Sequence, residues 1–232
     1  MKKLIIVILS LGVIGNCYCQ SGAEILDISA EVNYTNKEVP DSIMSKLYIQ
    51  IMLTSQVFDG DSAKAQDAEV WYLDVLDNQM RFKSKKYLIY YFRGVVKQFL
   101  KDYTGSISDL SRCLDLDPKY GRGYYDRGLS KFRLKDMRGA IDDITKSISI
   151  NPDYELAYYW RASAKIELKD YAGAITDGTK GIQIQPRYAG NYLVRGWARI
   201  QLKYKDSGCM DLSKAGELGL DGAYDLIKQC CQ

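Results

Sequence analysis

The sequence predicts an all-α chain, a solenoid of about four antiparallel helix pairs closed by a C-terminal helix. Three observations lead there. A motif of the form Tyr-Tyr-x-Arg-Gly begins, with small variations, at Tyr90, Tyr124, Tyr158 and Tyr192, each copy 34 residues after the last. Small residues keep the same interval, as Gly94, Gly128, Ala162 and Gly196, then Ser106, Ala140, Ala174 and Gly208, then Cys113, Ser147, Gly181 and Ala215. Pro118, Pro152 and Pro186 close three of the units. A fixed period of this length marks stacked supersecondary units that bury their apolar faces on one another.

The frame gives four units, Tyr87–Tyr120, Gly121–Tyr154, Glu155–Tyr188 and Ala189–Gly222. In each, a first helix runs from the tyrosine pair to Leu100, Leu134, Leu168 or Leu202. A second runs from near Gly105, Gly139, Gly173 or Ser207 to just before the proline. Ile141, Ile144, Ile148 and Ile150 follow roughly helical spacing, and Lys135-Asp136 and Lys169-Asp170 read as the turns within two pairs. Small residues recur where two helices must approach closely.

These residues are similar to the tetratricopeptide repeat, a 34-residue unit with a small residue in its first helix, an alanine early in its second and a closing proline. The resemblance covers Tyr87 to about Gly222. It implies a right-handed superhelix of helix pairs whose concave groove, lined mainly by first helices, holds a peptide or partner protein rather than doing chemistry. The fourth copy departs from the pattern, with Leu220 in place of the proline and Gly208-Cys209 in place of Ala-Ile, as a terminal repeat feeding a cap would. That cap is residues 221–232, with Asp221 as N-cap and Ala223, Leu226, Ile227 and Cys230 on one face.

Residues 20–86 read less clearly. Asp67–Phe82 and Asp41–Phe58 have helical spacing and would make a degenerate earlier unit, although Leu47–Thr54 also suits a strand. Residues 1–19 carry Lys2 and Lys3, an apolar run from Leu4 to Ile14, and Cys17 and Cys19 ahead of Gln20, the three parts of a secretory signal. Cleavage is expected near Cys19–Gln20, with export to the periplasm, cell envelope or medium and no transmembrane helix afterwards. The alternative is a lipid anchor at Cys17, since Ile14-Gly-Asn-Cys17 approximates an acylation motif, although Asn16 is bulky for it.

The chain has 232 residues, 47% hydrophobic and 26% charged, so it is globular. Removing Lys2 and Lys3 from 32 basic residues leaves 30 against 29 acidic. That near-neutral balance gives no electrostatic case for nucleic acid or an anionic membrane. No histidine is present, which removes Ser-His and Cys-His nucleophile pairs and His-containing metal sites. Gly121-Arg-Gly123 lacks the spacing of a nucleotide loop, and Phe58-Asp-Gly-Asp61 lacks the later ligands of a calcium loop. No enzyme, metal or cofactor is expected.

Each recurring arginine precedes an aspartate by 16 residues: Arg93 with Asp109, Arg127 with Asp143, Arg161 with Asp177, and Arg195 with Asp211. The midpoint of each pair falls on the turn between two antiparallel helices, so the partners reach similar height on facing helices. They are expected to be internal latches. A ligand-binding ladder of arginines would not need an aspartate at a fixed offset. Lys97, Lys131, Lys165 and Arg199 follow one turn later and can reach the same carboxylate. Removing either member of a pair is expected to destabilise about equally.

Tyr90, Tyr124, Tyr158 and Tyr192 share the arginine side and are read as packing. A second stripe, about 100° away, holds Tyr91, Tyr125, Tyr159, Leu129, Phe132, Ile166 and Trp197, and by resemblance it faces the groove; contact between neighbouring repeats is the alternative. An apolar and aromatic lining suits a peptide with aliphatic or aromatic anchors. Tyr91 and Val95, then Tyr125 and Leu129, stand where some family members place a carboxylate-gripping set, so that clamp is not expected.

The functional reading is therefore a non-enzymatic protein- or peptide-binding scaffold. The alternatives are an accessory subunit that binds through its N-terminal segment, and a lipid-anchored surface protein that binds glycans through tyrosine and tryptophan. In an oxidising compartment, Cys209 and Cys230 lie equidistant from the turn near Gly219 and could form a disulfide, with Cys231 as the competing partner. Cys113, at a small-residue position, is expected to be a buried free thiol.

Overall fold

In the computed structural model, residues 86–231 are described. The expected signal segment, the Cys17 anchor and the helices anticipated at Asp41–Phe58 and Asp67–Phe82 lie outside the described residues. Within them run α1 (Lys86–Phe99), α2 (Tyr103–Leu116), α3 (Gly121–Arg133), α4 (Met137–Ile150), α5 (Glu155–Glu167), α6 (Tyr171–Ile184), α7 (Ala189–Gln201), α8 (Lys205–Glu217) and α9 (Gly222–Cys230). Consecutive helices pack on each other throughout, and first helices also touch the next first helix. The arrangement is an all-α solenoid of helix pairs.

The turn within each pair stops its first helix the same way, and in the first three pairs an aspartate caps the second. Lys101, Lys135, Lys169 and Lys203 adopt φ of 60°, 66°, 63° and 70°, the left-handed region. Around Lys135, the amide of Asp136 donates to the carbonyl of Lys131, and that of Lys135 to Phe132. This crossed pair satisfies the last carbonyls of α3 and stops the helix. The next residue starts the second helix: the carboxylates of Asp102, Asp136 and Asp170 accept from the amides of Gly105, Gly139 and Gly173 at 2.9, 3.0 and 2.9 Å. Each Lys-Asp dipeptide thus ends one helix and caps the next.

Within a pair, a glycine lets the helices meet. A Cβ on Gly128 would lie 2.7 Å from Cγ1 of Ile144, and one on Gly94 2.8 Å from Cγ of Leu110. In the third repeat the first-helix position is Ala162, and the glycine on the second helix, Gly178, faces the next repeat, where an added Cβ would lie 2.9 Å from Cβ of Arg195.

The arginine–aspartate pairs lie across these contacts. Arg127 donates from Nε and Nη2 to the two carboxylate oxygens of Asp143 at 2.8 and 2.7 Å. Arg161 and Arg195 grip Asp177 and Asp211 in the same bidentate way, and Arg93 pairs with Asp109. The aspartate side chains are nearly buried, at 3–7% exposure. Lys97, Lys131, Lys165 and Arg199 bring a second cation to the same carboxylates at 2.7–2.8 Å. The remaining arginine nitrogen reaches back one repeat. Nη1 of Arg127, Arg161 and Arg195 donates to the hydroxyls of Ser111, Thr145 and Thr179 at 3.1, 3.0 and 3.4 Å. Tyr90, Tyr124, Tyr158 and Tyr192 cover the guanidinium faces, with 5.4–5.7 Å from Cζ to ring centre.

The cap differs from expectation by one residue. The disulfide joins Cys209 to Cys231, while Cys230 is a free, half-buried thiol. Gly219, at φ 94°, turns the chain, and the ring of Tyr224 packs against Gly216. That contact sets the register. Two turns back from Gly216 is Cys209, and two turns on from Tyr224 is Cys231, so those cysteines occupy the matching stripes of α8 and α9. Cys230 has nearly the right height but points about 100° away. Cys113 is fully buried, and burial pushes its thiol up to about 12.

The second cation alters the expected balance of the latch variants. Arg161→Ala leaves Asp177 paired with Lys165, whereas Asp177→Ala leaves two half-buried cations with no anion. Urea unfolding should show a loss of about 3–5 kcal/mol for Asp177→Ala and a smaller one, about 1–3 kcal/mol, for Arg161→Ala. Equal losses would contradict the shared carboxylate. At the turn, Lys169→Gly should be neutral or stabilise by up to about 1 kcal/mol, because it removes a left-handed Cβ. Lys169→Val should destabilise measurably in the same assay, since a branched side chain tolerates that conformation worst.

Candidate functional site

The repeated arginines are engaged inside the fold, and the candidate surface is that of the first helices, α1, α3, α5 and α7. The stripe read from the sequence does not lie on it as a whole. Tyr91 and Tyr125 are buried, at 2% and 6% exposure, and are not partner-facing. The reason is a second set of tyrosines. Tyr120, Tyr154 and Tyr188 stand immediately before α3, α5 and α7, and fold back over the first helix of their own repeat. Tyr91 meets Tyr120 at 5.0 Å between ring centres, Tyr125 meets Tyr154 at 4.6 Å, and Tyr159 meets Tyr188 at 5.5 Å. Edge and tilted contacts of this kind are favourable ring geometries. The 34-residue recurrence of Tyr120, Tyr154 and Tyr188 was available in the sequence, where they served only as unit boundaries.

Leu129, Phe132, Tyr159, Ile166 and Trp197 are half-buried. Leu129 packs on the core around Tyr125, Ile144 and Ala157, and Tyr159 and Ile166 pack on the core around Ala162, Ala174, Val194 and Ala198. The residue that joins these positions was missed. Trp160 lies on α5, half-buried, where the other repeats carry Phe92, Asp126 and Val194. Its indole meets Phe132 of α3 at 5.3 Å and Tyr159 at 5.2 Å. The guanidinium of Arg133, the last residue of α3, lies 5.5 Å above the indole. The result is an aromatic patch across α3 and α5 with one cation on it.

One repeat earlier, the same helix face is polar. Asp126 is pushed up to about 6 by burial, and the Tyr91 hydroxyl and Arg122 oppose the rise. Gln98 donates to the Asp126 carbonyl and, at 2.7 Å, to the Ser130 hydroxyl. Tyr154 is raised to about 12, chiefly by burial. Among the described residues, no group of three His, Cys, Asp or Glu side chains could hold a metal ion, and no helix is long and apolar enough to cross a membrane.

The tetratricopeptide-repeat family model matches residues 87–120 and 121–154, the first two helix pairs. Those residues carry two tetratricopeptide repeats. The third and fourth helix pairs repeat the same latch and turn in the same frame. None of the curated proteins matches the chain in sequence. Several solved structures share its fold. MamA from Desulfovibrio magneticus RS-1 is 20% identical over 75% of this chain and 94% of its own, with a TM-score of 0.59. YrrB, described as a tetratricopeptide-repeat protein with an unusual peptide-binding site, is 16% identical over 79% and 91%, with a TM-score of 0.60. The first tetratricopeptide domain of Spaghetti (RPAP3), solved with an HSP90 peptide, is 22% identical over 52% and 96%, with a TM-score of 0.51. At these identities the likeness is one of fold.

The raised Asp126 carboxyl has a consequence for stability. The folded repeats hold its proton more tightly than the unfolded chain does. Its contribution is therefore most favourable below the unfolded value near 4 and is lost as pH rises through about 6. Asp126→Asn should raise the melting temperature at about pH 7.5 and change it little at about pH 4. Equal shifts at both pH values in calorimetry would contradict this.

Proposed function

We propose that the protein is a non-enzymatic, exported scaffold that binds a protein or peptide segment on the first-helix surface of its tetratricopeptide array. The observation that carries the reading is the aromatic patch of Phe132, Tyr159 and Trp160. It is left half-exposed in a chain whose repeated charges are satisfied internally. Amphipathic, conformationally restricted side chains of this kind supply most of the binding energy at protein interfaces. Peptide-binding proteins among the structures of the same fold support the class of partner. Export rests on residues 1–19, whose charge, apolar run and small residues suit a cleaved signal.

Phe132 and Trp197 lie on separate repeats and contribute little to the arginine latches. Phe132→Ser with Trp197→Ser should weaken retention of the partner captured from the envelope fraction by tenfold or more, the scale of losing interface anchors. The melting transition should remain cooperative. Undiminished capture by the double variant would place binding elsewhere on the chain.

A further inference from the structure

We infer that Arg133 and Trp160 form the specificity anchor of this surface, taking a carboxylate next to an aromatic or aliphatic residue of an extended peptide. The inference rests on the reading that the first-helix surface binds a peptide, and it names the chemistry selected there. Arg133 is unlike the arginines of the repeat motif. Arg127, on the same helix, has Nε, Nη1 and Nη2 engaged by Asp143 and Ser111 and its face covered by Tyr124. Arg133 is exposed and lies over the face of the Trp160 indole.

A guanidinium held over an aromatic face leaves N–H groups free for a carboxylate, and its planar fork matches one. The indole beneath it is held by Phe132 and Tyr159, so the cation is positioned before a ligand arrives. Pre-positioning reduces the ordering cost of binding. The apolar residue beside the acid would rest on the exposed parts of Phe132 and Trp160. At the position of Arg133 the other repeats carry Phe99, Glu167 and Gln201. The cation therefore occurs in one repeat and is followed by an opposite charge in the next. A uniformly acidic segment would be repelled at Glu167, so the ligand is acidic at one place rather than throughout.

A cation in the last turn of α3 also suits the helix dipole. Lysine would serve that role as well as arginine, whereas the fork requires arginine. Full-length protein, Arg133→Gln and Arg133→Lys would each be used to select from two displayed random peptide libraries. In one library every peptide ends in a free carboxylate; in the other both ends are blocked. Peptides recovered on the unaltered protein should place Asp, Glu or the terminal carboxylate next to Phe, Trp, Leu, Ile or Met. They should bind Arg133→Gln about tenfold or more weakly, the scale of losing a charge-assisted hydrogen bond, with an intermediate loss in Arg133→Lys. Comparison of the libraries separates an acidic side chain from a chain terminus. Recovered peptides with no acidic preference and equal affinity for Arg133→Gln overturn this inference and leave the binding surface standing. Recovery of no peptide by any of the three proteins overturns the binding surface and the anchor together.

Discussion

The bidentate arginine–aspartate latch is the constraint on which the rest of the structure depends. Each arginine holds a nearly buried carboxylate across its own helix pair, and Arg127, Arg161 and Arg195 also bind a hydroxyl on the preceding pair. One side chain thereby fixes both the crossing within a repeat and the stacking between repeats. The geometry works only if the partner lies 16 residues on and the hydroxyl 16 residues back, so the latch ties the fold to a strict frame. A buried aspartate without its cations would be costly, which gives the latch more weight in choosing the register than in adding net stability.

Size complementarity follows the same frame. Between repeats a glycine again receives a larger side chain: Gly123 lies against Leu114 of the preceding repeat, and Gly181 against Asn191 of the next. Asn191 is fully buried and its amide lies directly against Gly181, where a Cβ would come 2.4 Å from Oδ1. The cap obeys a related rule, with Gly216 receiving the Tyr224 ring and so bringing Cys209 to Cys231. Because the scaffold satisfies its own charges, the surface of the first helices is free to vary in chemistry from repeat to repeat. The patch around Trp160 is such a variation.

Features that recur every 34 residues were legible in the sequence. These include the helix pairs, the glycine contacts and the latches, because recurrence shows which spacing the fold preserves. The N-terminal caps were partly legible: Asp136 and Asp170 were seen as turn residues, but their bonds to Gly139 and Gly173 depend on backbone geometry. Helical phase grouped Tyr91 and Tyr125 in one stripe, and resemblance to the family placed that stripe in the groove. Phase locates a side chain on its helix but not what folds over it, here Tyr120 and Tyr154. Cys230 and Cys231 both stayed open as partners of Cys209, because height above the turn near Gly219 favours Cys230 and the rotation that selects Cys231 is set by the Tyr224 ring against Gly216. Trp160 carries no periodic signal, since the equivalent residues are Phe92, Asp126 and Val194.

A 34-residue frame, held by the latches, specifies the array. Deleting residues 121–154 tests it most directly, because the new junction places Glu155 after Tyr120 as it now follows Tyr154, and brings Arg161 to the Ser111 hydroxyl. Circular dichroism and thermal melting should show a shorter chain with unchanged helicity per residue in these repeats and a cooperative transition. Deleting residues 121–153, one fewer, should abolish that cooperativity. Loss of folding in the in-frame deletion, or equal folding of the two, would contradict the account.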